Sequence, residues 1–386
     1  MSFKRLFSRS LGAAPGRLHM AAHSHHLWPD ASFGGQMQCW QDAAALADAK
    51  WDKIMSEVWP ETQGHVAREL GTDPSAVVFA SNTHDFLVRL FAAAPRRVAG
   101  QLRVLTSDGE FHSARRQLAR WEEDGACSVT RVAADPFDTF SDRFLDAARS
   151  GAHDLIFVSQ VLFNSGRIFD HVGEIAGLAR VDGPWVVIDG YHAFMALDAP
   201  LPADAASRAF FLGGGYKYAM AGEGAAFMHC PPGYGERPPI TGWFAEFGEL
   251  TAPPGGVGYT SDAMRFMGAT FDPSALYRFN AVQRMLAEEG LTTAAITSRV
   301  AALQARLLDL LDGTALAAAE LLNPLDGGAH ARFLAFRSPR AARWNAELLD
   351  KGCVTDVRAD VLRIGLAIYH DEADVAAFAA LARGLS

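Results

Sequence analysis

The sequence predicts an α/β protein with a mostly parallel, seven-stranded sheet between helices and a smaller α+β domain at the C-terminus. Beyond residue 280 the pattern changes to long helices rich in Ala, Leu and Arg, with strand-like runs at 332–336 and 361–364. The alternation of apolar runs and helical segments before that point is typical of a parallel sheet covered on both faces. The apolar runs, most of them separated by polar, helix-like segments, lie at residues 77–80, 103–106, 155–158, 185–188, 209–212 and 225–228.

Two further segments complete the predicted organisation. Residues 36–70 read as helix with short interruptions and end at Gly71-Thr-Asp-Pro74, a helix stop followed by turn residues. Residues 231–258 are rich in Pro and Gly but contain Trp243, Phe244 and Phe247, which predicts a long functional loop region. We expect an N-terminal arm that reaches both the functional site and the small domain, a large domain and a small domain, over residues 1–45, 46–275 and 276–386.

Composition and charge exclude several classes of protein. The chain has 386 residues, 49% of them hydrophobic and 20% charged, enough for a full core in two or three structural units. Its net charge of −9 and the lack of a concentrated basic face argue against a nucleic-acid partner. No run of about 18 uncharged apolar residues occurs, and the N-terminus has no continuous apolar segment. We therefore expect a cytoplasmic protein without membrane association.

Cysteine and histidine spacing does not predict a metal site. The four cysteines, at positions 39, 127, 230 and 353, are far apart, which predicts reduced thiols. The segment His23-Ser-His25-His26 resembles a set of metal ligands, but the nearby sequence adds only Asp30 and no Cys. We predict no metal and expect this segment to form a loop that lines a pocket.

Lys217 and Asp189 are the main candidates for chemistry. Lys217 lies in an apolar, glycine-rich run, and Asp189 ends a strand-like run. Pyridoxal 5′-phosphate (PLP) needs a lysine for its aldehyde and a carboxylate beside its ring nitrogen, because the protonated ring accepts electrons from a carbanion. A surface lysine after a glycine turn is the alternative. A lysine flanked by apolar and small residues, however, is expected to be buried and to lose its charge readily.

Other candidates follow predicted strands, where ligands of parallel sheets bind. Ser81-Asn-Thr-His84 precedes a helix, which predicts a phosphate cradle of backbone N–H groups; helix capping by Ser81 or Thr83 is the alternative. Phe111 either stacks on a flat ring or belongs to the core. Arg363, in an apolar strand, either binds a substrate carboxylate or forms an internal salt bridge.

The motifs together resemble a known family. The resemblance is to class V aminotransferase-fold enzymes, most closely the kynureninase branch, and it runs from about residue 71 to 364. Its most specific element is Tyr-Lys-Tyr followed by Gly-x-Gly, with Gly-Trp-Phe downstream. It implies PLP-dependent transferase fold type I, PLP as cofactor, and a homodimer with active sites at the subunit interface. The residues that carry it are 159–166 (Ser-Gln-Val-Leu-Phe-Asn-Ser-Gly), Asp189-Gly-Tyr-His192, Gly215-Tyr-Lys-Tyr218 and Gly242-Trp-Phe244.

The resemblance also implies roles for individual residues. Lys217 would hold PLP as an aldimine, Asp189 would pair with the ring nitrogen, and His192 would lie close by. Arg363 would bind the substrate carboxylate. The other implied cofactor contacts are ring stacking by Phe111, a place near the cofactor for Phe163, phosphate binding by Asn82, Thr83 and Tyr216, and phosphate contacts across the dimer interface from Trp243 and Thr270.

Departures from the family pattern bear on specificity. Kynureninases continue Gly-Trp-Phe with Gly-His, whereas Ala245-Glu246 follow here, and their Asn-Pro-Pro segment has no clear match around residues 271–274. Glu246 is expected near the substrate side chain, with a surface glutamate as the alternative, and His25 is also expected to face the substrate. Cysteine desulfurase activity is disfavoured, because Cys353 falls in a strand-like run and not in a mobile loop.

The predicted function is conversion of a small amino acid with PLP. Lys217, displaced by the substrate amine, would remove the Cα proton to give a quinonoid stabilised through Asp189. Kynureninase-like hydrolysis between Cβ and Cγ, or a related elimination, would follow. The alternative is a class V aminotransferase that passes the amino group to a 2-oxo acid. A regulatory PLP-binding protein without turnover is disfavoured, because Lys217, Asp189 and Arg363 are all present and no DNA-binding segment is visible.

Overall fold

The computed structural model describes residues 2–97, 100–249 and 256–386. Residues 250–255 of the predicted loop region therefore lie outside the described residues. The predicted helix over 36–70 is confirmed, with interruptions by a 3₁₀ turn at Ala47–Ala49 and a π-helical turn at Ile54–Val58. The helices are α1 (Ser8–Gly12), α2 (Asp30–Leu46), α3 (Lys50–Lys53), α4 (Trp59–Leu70), α5 (Thr83–Ala93), α6 (His112–Glu123), α7 (Phe140–Arg149), α8 (Val172–Ala176), α9 (Ala203–Ala206), α10 (Ser274–Glu288), α11 (Thr293–Leu310), α12 (Ala341–Asp350) and α13 (Glu372–Ala382).

The predicted apolar runs are all strands, with bounds that agree to within two residues. Strands outside those runs include Leu18–His19 and Glu320–Leu321, and the longest of them is Cys127–Val132. It lies at the edge of its sheet and carries polar residues on its exposed positions. The strands are β1 (Leu18–His19), β2 (Val77–Ala80), β3 (Leu102–Ser107), β4 (Cys127–Val132), β5 (Leu155–Ser159), β6 (Trp185–Asp189), β7 (Ala209–Gly214), β8 (Ala226–His229), β9 (Glu320–Leu321), β10 (Phe333–Arg337), β11 (Cys353–Val354), β12 (Asp356–Arg358) and β13 (Val361–Gly365).

The seven-stranded sheet confirms the predicted α/β fold type I architecture. Its strand order is β2-β8-β7-β6-β5-β3-β4, and all neighbours from β7 to β4 are parallel, whereas β8 is antiparallel to both β2 and β7. Ser159 is the register partner of Asp189, and Asp189 is the partner of Leu212. The carboxyl ends of β5, β6 and β7 therefore meet at one edge of the sheet.

A second, antiparallel sheet has the order β12-β13-β10-β9. The N-terminal segment joins this part of the chain, since β1 pairs in parallel with β11 and Ala21 forms a bridge with Gly365. The division at residues 45 and 275 stays a prediction. None of the helices in the described ranges is long and apolar enough to cross a membrane.

Helices α2 and α10 approach each other closely at a glycine. A Cβ on Gly35 of α2 would lie 2.5 Å from the backbone oxygen of Tyr277 in α10, a distance that real Cβ atoms do not show. Because the obstacle is backbone and not a flexible side chain, the two helices would have to move apart. The absence of a side chain at Gly35 therefore allows the close spacing of these two helices.

We predict that Gly35→Ala lowers the free energy of unfolding by about 1–3 kcal/mol, the usual cost of overpacking. Gly64→Ala in α4 is the control, because a Cβ there meets nothing within 4 Å. This control should be neutral or stabilising by about 0.5–1 kcal/mol, as for alanine in a helix interior. Urea denaturation of both variants measures the difference, and equal midpoints for the two would contradict the packing argument.

Candidate active site

A cavity of about 360 Å³ lies at the ends of β2, β5, β6 and β7. Its volume falls in the range of small-ligand sites. Ser159 and Asp189 end their strands, and Lys217 follows β7 by three residues. The lining comprises Ser81, Asn82, Thr83, His84, Phe111, Ser113, Ser159, Val161, Phe163, Asp189, Tyr191, His192, Tyr216, Lys217, Glu223 and Gly224.

Lys217 is buried, with 5% of its surface exposed, so it is not a surface lysine. Burial is the largest cause that lowers its pKa to about 7; the charge of Arg363 lowers it further, and Asp189 opposes the shift. A large fraction of the amine is therefore uncharged at neutral pH and available as a nucleophile or base. Nζ lies 5.8 Å from the ring centre of Phe111 and 5.4 Å from that of Tyr216.

His192 faces Lys217, with 2.7 Å between His192 Nε2 and Lys217 Nζ. Burial, and then the charges of Lys217 and Arg363, hold the pKa of His192 well below its usual range. Its other nitrogen, Nδ1, lies 3.3 Å from the hydroxyl of Tyr218. A neutral imidazole has one donor and one acceptor nitrogen, so its tautomer is coupled to Lys217. An ammonium donates to Nε2, whereas a neutral amine accepts from Nε2–H while the phenol donates to Nδ1.

Asp189 forms the wall of the cavity at the end of β6. Its Oδ1 accepts a hydrogen bond from the backbone N–H of Tyr191 at 3.0 Å. Burial raises the pKa of Asp189, and the Tyr191 N–H and the charge of Lys217 oppose that rise. A cationic ring nitrogen at this carboxylate would favour the ionised form in the same way.

The predicted phosphate cradle is at the start of α5. Asn82 caps this helix, because its Oδ1 accepts from the backbone N–H of Asp85 at 3.1 Å. Capping is thus by Asn82 and not by Ser81 or Thr83, the predicted alternative. Asn82, Thr83 and Ser81 also line the cavity. The first turn of α5 therefore presents free backbone N–H groups and the positive end of its dipole to a bound anion.

The aromatic candidates Phe111, Phe163 and Tyr216 all line the cavity. Phe111 lies edge-on to Phe163 at 5.3 Å between ring centres. His25 is exposed and stacks on Tyr216 at 5.6 Å, but it is not part of the lining. These rings give the cavity flat apolar walls suited to an aromatic ligand.

Arg363 is buried on β13, and the internal salt bridge weighed from the sequence is present. Its Nη2 pairs with Asp356, and its Nη1 donates to the carbonyl of Phe163 at 2.5 Å. Nε has no hydrogen-bond partner in the described ranges. Because Nε and Nη2 form one edge of the guanidinium, a carboxylate bound at that edge would share Nη2 with Asp356.

Five predicted residues are not part of the cavity lining within this chain: Arg363 and His25, described above, and Glu246, Trp243 and Thr270. Glu246 accepts a hydrogen bond from the backbone N–H of Gly258 at 3.1 Å, within its own loop. Trp243 is 40% exposed, and Thr270 is exposed as well. The predicted roles of Trp243 and Thr270 require a second subunit and stay predictions.

Several residues that line the cavity have no predicted role, among them Ser159, Tyr191 and Glu223. Tyr191 had a usable signal, since it stands between Asp189 and His192. Ser159 ends a recognised strand and contacts Glu110, which the sequence places directly before Phe111. Within the described residues, no group of three or more His, Cys, Asp or Glu side chains is arranged to hold a metal ion.

Glu110 connects Phe111 to the strand next to Asp189. It is fully buried, and its Oε1 accepts from the Ser107 hydroxyl at 2.5 Å. Its Oε2 accepts from the Ser159 backbone N–H at 3.0 Å and from the Ser159 hydroxyl at 2.5 Å. Burial raises the pKa of Glu110 to about 7; the serine hydrogen bonds lower it, and the charge of Asp189 adds to the rise.

Comparisons with known proteins agree with this geometry. The family described as "Kynureninase C-terminal domain" matches residues 296–381. Kynureninase from Deinococcus radiodurans is 26% identical over 391 residues, covering 96% of this chain and 87% of that protein. Isopenicillin N epimerase from Streptomyces clavuligerus is 30% identical over 231 residues. That match spans about half of each protein, 55% of this chain and 54% of the epimerase.

A solved structure shows the same fold over the whole chain. The apo cysteine desulfurase from Thermococcus onnurineus NA1 superposes with a TM-score of 0.81 at 16% identity, covering 100% of this chain and 98% of that one. The chain therefore has the PLP-dependent transferase fold type I, and it resembles class V aminotransferase-fold enzymes. Within this class it resembles the kynureninase branch, and the predicted cofactor, PLP, is confirmed.

The residues present fit PLP. The cavity offers an uncharged lysine amine, a carboxylate at a neighbouring strand end and a helix N-terminus for an anion. The Nε–H of Arg363, which has no partner among the described residues, adds a donor for a carboxylate. These are the four kinds of group that PLP and an amino acid require.

We predict that Glu110→Gln changes how stability depends on pH. Since the pKa of Glu110 is raised from 4.5 to about 7 on folding, its proton is bound more tightly in the folded state. Its contribution to stability is therefore lost as pH rises from about 4.5 to 7. In wild type this loss lowers the free energy of unfolding by up to ~3 kcal/mol, and Glu110→Gln should abolish it. Melting temperatures of the cofactor-free protein at pH 4.5–8 measure the effect.

Glu61→Gln is the control, because the pKa of Glu61 is lowered in the folded protein, with burial opposing that shift and Arg284 driving it. Glu61→Gln should therefore show no gain in melting temperature over wild type at high pH. Parallel curves of melting temperature against pH for wild type and Glu110→Gln would contradict the raised pKa of Glu110.

Proposed function

We propose that the protein is a PLP-dependent enzyme that hydrolyses the bond between Cβ and Cγ of an amino acid carrying a γ-carbonyl. The observation that supports this most is the buried Lys217 amine, 2.7 Å from His192, beside Asp189 in one cavity. Lys217 would hold the cofactor, Asp189 its ring nitrogen and the start of α5 its phosphate. When bound there, PLP supplies a ring that withdraws electrons from the substrate's Cα.

The side chains of the cavity define how a proton would move. Lys217 Nζ, uncharged in about half of the molecules at neutral pH, accepts the Cα proton of the substrate. His192 Nε2 holds the amine in place and exchanges a hydrogen bond with it as it gains charge. Burial keeps His192 neutral, so it adds no competing cation beside the ammonium.

Arg363 would orient the substrate by its α-carboxylate. The guanidinium is nearly fully buried, and its free Nε–H adjoins Nη2. A carboxylate at that edge would complete two parallel hydrogen bonds and fix which bond of Cα faces Lys217. A single carboxylate also suits the charge of this region, where Arg363 and Arg358 share the one carboxylate of Asp356.

The choice of reaction rests on similarity and on one structural feature. The match to a kynureninase over 96% of the chain and the kynureninase C-terminal family support side-chain hydrolysis. Cys353 is buried in β11, paired with β1, and burial raises the pKa of its thiol to about 12. A thiol of this kind does not serve as a nucleophile for sulfur transfer, which argues against desulfuration.

We also propose that the enzyme is a homodimer. Phe33, Met37 and Trp40 lie on one face of α2 at helical spacing and are 48%, 38% and 66% exposed. Trp243 adds a fourth exposed apolar side chain. A stripe of this kind on a helix is a feature of subunit interfaces. A second subunit would also give Trp243 and Thr270 access to a phosphate site.

We predict that borohydride reduction of the PLP-loaded protein attaches the cofactor to Lys217 alone. Lys217→Ala should abolish the attachment, whereas Lys53→Ala should not, because Lys53 is paired with Asp42 outside the cavity. Peptide mapping by mass spectrometry measures the position of the label. A label on another lysine would refute the role of Lys217.

We predict that an amino acid with a γ-keto group yields alanine and a carboxylic acid, with water as co-substrate. In heavy water the substrate's Cα hydrogen should exchange, and Asp189→Asn should slow this exchange about a hundredfold, corresponding to ~3 kcal/mol. Mass spectrometry of the products separates the alternatives. Amino transfer to a 2-oxo acid would indicate the aminotransferase, and inversion at Cα without cleavage an epimerase; either result would contradict the proposed hydrolysis.

A further inference from the structure

His23 is buried against the carboxylate site without a hydrogen-bond partner. It has 0% exposure, and its ring stacks on Phe333 at 4.6 Å between centres. It also packs on Gly365, where a Cβ would lie 2.2 Å from His23 Nδ1. Within the described part of the chain, neither ring nitrogen has a hydrogen-bond partner. The fold thus holds an imidazole in place and leaves its polar atoms unused.

The His23 ring lies close to a carboxylate oxygen that is already paired with another residue. His23 Nε2 lies 3.7 Å from Oδ2 of Asp356, beyond hydrogen-bond distance, and the same oxygen pairs with Arg363 Nη2. The other oxygen of Asp356, Oδ1, lies 2.8 Å from Arg358 Nη1. Each oxygen of Asp356 is therefore already paired with a guanidinium group, and the His23 ring lies next to this carboxylate.

This arrangement has a consequence for substrate binding. A carboxylate on Arg363 competes with Asp356 for the same guanidinium. If the pair loosens, Asp356 Oδ2 becomes a buried carboxylate oxygen that lacks a partner, which is costly. A donor within a short movement of that oxygen removes the cost. A neutral imidazole suits this role, because it donates without adding a third positive charge beside Arg358 and Arg363.

We infer that His23 is a positioning residue that takes over Asp356 Oδ2 through Nε2–H when Arg363 binds the substrate carboxylate. The inference rests on the proposed function, in that Arg363 is taken as the carboxylate site. Burial, followed by the charges of Arg363, His192 and Lys217, lowers the pKa of His23 and keeps its ring neutral, and a neutral ring carries one N–H, which the proposal places on Nε2. Nδ1, on the side of Gly365, then carries the lone pair.

The test is the binding of propionate to the protein as purified, measured by calorimetry, with propionamide as the uncharged probe. His23→Phe keeps the ring stacked on Phe333 but removes the donor, and it should weaken propionate binding on the order of tenfold. His23→Gln retains an N–H and should stay within about threefold of wild type. Propionamide should bind equally weakly to all variants.

A matched control and a double variant identify the cause. His26 is a buried histidine of the same segment, but it contacts Leu27 and Tyr369 and not Asp356, so His26→Phe should leave propionate binding unchanged. In an Asp356→Asn background the buried oxygen is uncharged, and His23→Phe should then change binding less than about twofold.

Three outcomes would overturn the inference: wild-type binding by His23→Phe, an equal loss in His26→Phe, or an undiminished loss in the Asp356→Asn background. The first removes the donor role, the second indicates a general effect on folding, and the third indicates direct contact with the ligand. Because propionate binding requires no turnover, these outcomes are independent of the Lys217 labelling experiment. A failure of the proposed reaction is thereby distinguished from a failure of the His23 assignment.

Discussion

The site depends on the parallel alignment of β5, β6 and β7. Parallel neighbours end at the same edge of the sheet, so the last residues of each strand come together without any contribution from loop geometry. Ser159 and Asp189 are register partners at that edge, and Lys217 follows the next strand by three residues. The antiparallel strand β8 then lies between β7 and β2, which places β2 in the same direction and brings the start of α5 to the same edge.

Burial of several ionisable groups in one place gives the cavity its chemistry. Burial is the largest cause of the shift for each of them: it lowers the pKa of Lys217 and raises the pKa values of Asp189 and Glu110. The acids and the base are thus brought closer in proton affinity, which favours proton exchange near neutral pH. Glu110 holds its position through two serines, so the segment that carries Phe111 is fixed relative to the strand beside Asp189.

Much of the fold was predictable because buried strands of a parallel sheet are continuous apolar runs. Edge strand β4 was not, since Ser128, Thr130 and Arg131 interrupt its apolar pattern where the sheet meets solvent. Lys217 and Asp189 were predictable from their chemistry and local sequence. Glu110 was not, because its partners Ser107 and Ser159 come from two strands and only the register of the sheet brings them together.

The Arg363–Asp356 pair shows a second feature that could not be predicted from the sequence. The two residues are direct cross-strand partners in β13 and β12, where opposite charges stabilise a hairpin. The turn between these strands contains Ala359 with φ of 51°, a conformation that usually selects Gly or Asn, so the sequence carries no hairpin signal there. Sequence pattern therefore left salt bridge and substrate binding as alternatives. In the structure the salt bridge is formed, and the Nε–H of the same guanidinium has no partner among the described residues; substrate binding by Arg363 stays a proposal.

The N-terminal segment connects these features. Histidines two residues apart have different surroundings: His25 is exposed on Tyr216, whereas His23 is buried beside Asp356. Pairing of β1 with β11 and the bridge from Ala21 to Gly365 fix this difference, because they attach the segment to the strand that carries Arg363. The segment and the arginine strand are thus joined on the proposed substrate side of the site, while the sheet edge forms the proposed cofactor side.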